Sequence, residues 1–134
     1  MLDNRDWHKV DGADANDLAG LKHLAKVALP ESYLALLRYS NGGEGPLAIS
    51  PLYFQLDPIT VTLQQITDDT FGEFFPGLLV FGSNGGGEAI AFDTRCDAPF
   101  PIVAFDMTNI DLDESVVSIA SDFDAFLDLV GMKA

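Results

Sequence analysis

Apolar residues recur first at helical and then at strand spacing along the chain. Leu18, Leu21, Leu24, Ala25 and Ala28 follow one another at three- and four-residue steps, which predicts an amphipathic helix from Asn16 to Ala28 with Asn16 and Asp17 at its start. A second helix is expected from Pro30, whose fixed φ and missing N–H suit a first turn, through Tyr33, Leu34, Leu36 and Leu37. Asn41-Gly42-Gly43 ends it with residues that tolerate positive φ. From Pro46 to Leu56 the pattern is β-like but interrupted by Pro51, which predicts an edge or bulged pair of strands. Thr62-Leu63-Gln64-Gln65 reads as a capping box opening a short helix that buries Leu63 and Ile66 and fades near Asp69.

Three apolar runs follow: Leu78 to Phe81, Ala89 to Phe92 and Ile102 to Phe105. They predict adjacent antiparallel strands, joined by a hairpin loop over Gly82 to Gly87 and by Arg95 to Pro101. Ser115 to Ile119 is expected to add another strand. The chain closes on Ser121-Asp122-Phe123-Asp124, with Ser121 as the expected cap of a helix that turns Phe123, Phe126, Leu127 and Val130 to one face and stops at Gly131. This order predicts an α+β fold: one domain over residues 1–134, with a mainly antiparallel sheet flanked by helices.

Composition supports a folded core, because 48% hydrophobic residues and ten Phe supply ample apolar area to offset chain entropy. The lone Cys96 excludes an internal disulfide, and the opening MLDNRDWHKV has no apolar signal region. No run approaches the roughly 18 apolar residues of a membrane helix, so a cytoplasmic protein without membrane partners is expected.

Charge changes the picture more. The net charge is -14, and between Tyr39 and Met132 fifteen Asp and Glu residues face one base, Arg95. The first 38 residues are nearly neutral, with six acids and five bases. Such a field repels nucleic acid and anionic lipid and draws in cationic surfaces, although acidity also serves plain solubility.

Candidate chemistry is sparse. A nucleophilic triad needs a histidine, and only His8 and His23 exist, both near the N-terminus. Cys96 lies between Arg95 and Asp97, whose charges act on its thiol in opposite senses. The glycine-rich Gly82 to Gly87 joins two expected strands and is followed by no Lys, unlike a phosphate loop. Asp106, Thr108, Asp111, Asp113 and Glu114 crowd one segment as calcium ligands would, but without EF-hand spacing. Carboxylate pairs such as Asp68-Asp69 are unavoidable in a chain with sixteen Asp. No catalytic, cofactor-binding or metal-binding residue is therefore expected, and no cofactor.

Leu29-Pro30-Glu31-Ser32-Tyr33 leading to Asn41-Gly42-Gly43, the Leu79-to-Asp93 stretch and the terminal Ser121-to-Leu127 helix together resemble the SMI1/KNR4 domain of the SUKH superfamily, over about residues 14–131. The resemblance implies a binding module without a shared catalytic set: in bacteria an immunity protein that neutralises a polymorphic toxin, in fungi a component of cell-wall synthesis and signalling. With the charge, it leads to the expectation of a basic protein partner such as a toxin domain. Candidate partner-binding acids, at strand ends and loops, are Asp57, Asp93, Asp97, Asp106, Asp111, Asp113 and Glu114. The alternatives are a regulatory or scaffold domain for a cellular protein, and a small-ligand binder with a cleft lined by Trp7, Tyr33 and Tyr53.

Overall fold

A computed structural model describes all residues, 1–134. Six strands, β1 (Glu44–Pro46), β2 (Tyr53–Leu56), β3 (Leu78–Ser83), β4 (Glu88–Asp93), β5 (Ile102–Asp106) and β6 (Val117–Ala120), form one antiparallel meander in chain order. Five helices interrupt it: α1 (Ala15–Ala25), α2 (Glu31–Tyr39), α3 (Ile59–Asp68), α4 (Leu112–Ser115) and α5 (Phe123–Leu127). No helix is long and apolar enough to cross a membrane.

The central strands read as unbroken apolar runs because both sheet faces are covered. Leu79, Phe81, Ile90, Phe92, Ile102 and Ala104 face the helical layer, where they meet Leu34 and Leu37 of α2 and Phe123 and Phe126 of α5. Tyr33 lies at the centre of this layer, its ring 5.2 Å from Phe92, 5.5 Å from Phe123 and 5.6 Å from Phe81. The Phe92 and Phe123 pairs are edge-on, and such pairs contribute about 0.5–1.5 kcal/mol each beyond their buried area. Leu78, Val80, Ala89, Ala91, Val103 and Phe105 face the other way and are covered by Phe71 and Phe75 from the α3–β3 connection and by Leu112 and Val116 around α4.

Gly82 lets β2 cross β3 closely: a Cβ there would stand 2.5 Å from both the Gln55 carbonyl oxygen and Phe54. The ladder shifts register beside it, between Val80 and Gly82. At the far edge β1 is partly covered by the N-terminal segment through a bridge between His8 and Glu44. Arg5 anchors that segment by donating from Nη1 to the Leu127 and Val130 carbonyls at the end of α5.

The expected helices and strands are all present, with displaced ends. Asp14, not Asn16 or Asp17, caps α1, accepting from the Asp17 N–H at 2.8 Å. The capping box at Thr62 does not form. α3 begins four residues earlier, at Ile59 after Pro58, where Asn41 reaches across from the end of α2 and accepts the Ile59 N–H at 2.7 Å. Thr62 thereby falls inside the helix and is buried. Asp122 replaces Ser121 as the cap of α5, accepting from Ala125 N–H. The last strand starts at Val117, since Asp111 caps the unforeseen turn α4 over Leu112 to Ser115.

Candidate functional site

The seven candidate acids do not form one surface. Asp106, Asp111, Asp113 and Glu114 share the segment that leaves β5 and turns into α4, and all four are exposed. This segment is tied to itself. Asp106 Oδ1 accepts from both the N–H and the hydroxyl of Thr108, which holds its carboxyl below the usual carboxylate range. Asp111 Oδ1 accepts the Asp113 and Glu114 N–H groups, Glu114 accepts from Asn109, and Ser115 Oγ accepts the Asp106 N–H at 2.9 Å. The carboxylates serve their own backbone turn, and no three of them converge as metal ligands do. Glu88 joins them, because register places it opposite Asp106 across β4 and β5. Sequence reasoning missed Glu88, since only strand pairing brings it there.

Asp93 ends β4 at its other end from Glu88, and Asp97 follows in the β4–β5 connection. Asp97 is exposed, but Asp93 is only 7% exposed and engaged internally. Its Oδ1 accepts Arg95 Nε at 2.9 Å and its Oδ2 accepts Nη2 at 3.0 Å. Arg95 thus holds the Asp93 carboxyl below its ordinary range. The geometry corrects the expectation that Asp93 is presented with the loop acids, and the one base of the acidic region is consumed in this pair. Only Asp3, Glu31 and Asp93 among the 21 acids take part in ion pairs.

Asp57 occupies a third place, between β2 and α3, and burial alone pushes its carboxyl up to about 6. It lines a groove of about 340 Å³ whose other walls include His8, Asn41, Gly42, Gly43, Glu44 and Gln55. Gly43 lies at φ +99°, and a Cβ there would stand 2.5 Å from the His8 carbonyl oxygen, so a glycine is required for the groove's inner wall. Below it, burial raises the Tyr33 phenol; Thr62 opposes that shift and the charge of Asp57 adds to it.

The aromatic cleft expected from Trp7, Tyr33 and Tyr53 does not exist. Tyr33 is core, Trp7 packs on Phe54 at 5.8 Å and Tyr53 is exposed. A cleft of about 200 Å³ opens elsewhere, between the ends of α1 and α3 and the 69–77 connection, lined by Val27, Ile66, Phe71 and Phe75 among others. His23 and Cys96 are exposed on α1 and in the β4–β5 connection, far apart in the chain.

The SMI1 / KNR4 family (SUKH-1) matches residues 12–129, a span that takes in every helix and strand from α1 to α5. The chain belongs to this family. Among curated proteins none matches it. In this SUKH-1 chain the residues that carry the resemblance have structural work: Pro30 accepts the Tyr33 and Leu34 N–H groups at the start of α2, and Asn41 caps α3. Gly42 and Gly43 take positive φ, Gly82 permits the strand crossing and Asp93 closes the turn after β4.

Proposed function

We propose that this SUKH-1 protein is a non-enzymatic binding module that neutralises a toxin by docking acidic surface over the toxin's basic site. The observation that carries the reading is the end of the sheet where Glu88 stands opposite Asp106 beside the turn that carries Asp111, Asp113 and Glu114, none of them in an ion pair, although the charge of Arg95 reaches Asp113. A toxin that acts on nucleic acid grips phosphates with clustered Lys and Arg, and an acidic surface occupies that site electrostatically without chemistry of its own. Family membership supports the reading, because protein recognition is what the SUKH resemblance implies.

Asp106, Asp113, Glu114 and Glu88 are the contact acids, with Asp97 in the β4–β5 connection as a rim charge. Asp111 contributes charge while capping α4, so its replacement confounds binding with folding. The test is growth of cells that express a candidate toxin, where one is encoded beside this protein, with and without it. Wild type is expected to protect, and the Asp113→Lys, Glu114→Lys double reversal to lose protection while remaining folded. Undiminished protection by the reversed protein would place the contact elsewhere, and no protection by wild type would reject the immunity role.

A further inference from the structure

We propose that the groove between the N-terminal segment, the β1–β2 edge and α3 is a receptor for a single guanidinium group, with Asp57 as its charge partner and Glu44 as the second acceptor. The proposal rests on the binding reading above only for the source of the arginine, a basic protein partner.

The groove is preformed. Ser40 Oγ donates to the Gly42 carbonyl at 2.7 Å and accepts the Val10 N–H at 3.2 Å, which fastens the N-terminal segment to the end of α2. Asn41 spends its side-chain oxygen on α3, and Leu56 N–H bonds to the Gly43 carbonyl at 3.0 Å. The walls are therefore satisfied internally, while Asp57 forms no ion pair and has only burial acting on it. Glu44 uses Oε2 to accept from Gln55 Nε2, and its Oε1 is the further acceptor.

The chemistry selects the occupant. An anion meets two carboxylates, and a neutral group leaves Asp57 uncompensated. A metal ion needs a convergent set of three or more ligands, which the groove does not hold. A guanidinium is planar, always charged, more weakly hydrated than an ammonium, and carries five donors that suit two carboxylates. A half-buried carboxylate without a partner in the free protein, open to solvent through the groove, is preorganised for such a cation.

The probe is N-acetyl-argininamide, titrated into the ¹⁵N-labelled full chain and followed by amide chemical shifts, with N-acetyl-citrullinamide as the uncharged control. Saturable shifts are expected at His8, Gly42, Gly43 and Gln55, absent with the citrulline compound, at least tenfold weaker in Asp57→Asn and unchanged in Asp128→Asn, an exposed acid outside the groove. Equal response to citrulline, or shifts confined to residues 106–114, would overturn the proposal using wild-type protein alone; an unaltered affinity in Asp57→Asn would do so as well. Failure of the probe removes the groove and leaves toxin docking by the acidic loop intact. Binding of the probe without protection in cells does the reverse.

Discussion

Asp57 is charged at neutral pH in a site that disfavours charge. Its folded pKa of about 6 lies above the unfolded value near 3.8, so the group supports folding at acid pH and that support is lost as pH rises through about 6. The difference amounts to about 2–3 kcal/mol of strain on the native state at pH 7, of which solvent access leaves the lower part. Asp57→Asn is therefore expected to stabilise the fold above pH 6, by about 3 °C in Tm for each kcal/mol, and to leave it nearly unchanged at pH 4. Thermal unfolding of both proteins across that range checks it. Tyr33, His8 and Glu44 face the site, but burial alone shifts Asp57, and the Tyr33 phenol is raised far above this pH range, so the comparison reads the burial of one carboxylate. A gain in stability together with a loss of arginine binding is the mark of a residue kept for function. Equal stability at pH 7, or a difference independent of pH, would contradict the assignment.

The β2–β3 crossing depends on the missing side chain of Gly82. Gly82→Ala puts a methyl group 2.5 Å from the Gln55 carbonyl oxygen and Phe54, and backbone must move to admit it. We expect a loss of about 1–3 kcal/mol in urea unfolding and faster amide exchange at Gln55 and Leu56; a change below about 0.5 kcal/mol would mean the crossing is looser than described. The strands were legible in the sequence because Leu78–Phe81, Ala89–Phe92 and Ile102–Phe105 are apolar on both sides, and the helices because their leucines keep helical spacing. Helix starts were less legible. The cap of α3 comes from Asn41, 18 residues away, so a local pattern at Thr62 misled. At α5, Ser121 and Asp122 are both able to cap, and packing of Phe123 and Phe126 chose the latter. The candidate site was legible only as charge: Asp106, Asp111, Asp113 and Glu114 are neighbours in the chain, whereas Glu88 and the groove at Asp57 arise from register and from the folding back of residues 5–10.

The whole molecule carries a net charge of -14 with three ion pairs, so its folded state repels itself. Raising ionic strength from about 0.01 to 1 M shortens the screening length from about 30 to 3 Å, and Tm is expected to rise with it. A Tm that falls steadily over that range would show that attractive pairs, not repulsion, dominate. The same field draws a basic partner in, so association should slow as salt rises while contacts buried in the groove mainly govern dissociation.

The most direct test of recognition by charge is a pull-down from the native host's lysate with the tagged protein, at low and at moderate salt, with bound proteins identified by mass spectrometry. The expected catch is one stoichiometric basic protein, toxic when expressed alone and retained less by the Asp113→Lys, Glu114→Lys variant. Recovery of only cell-wall or signalling proteins, or of nothing while a candidate toxin is demonstrably expressed, would count against recognition by charge.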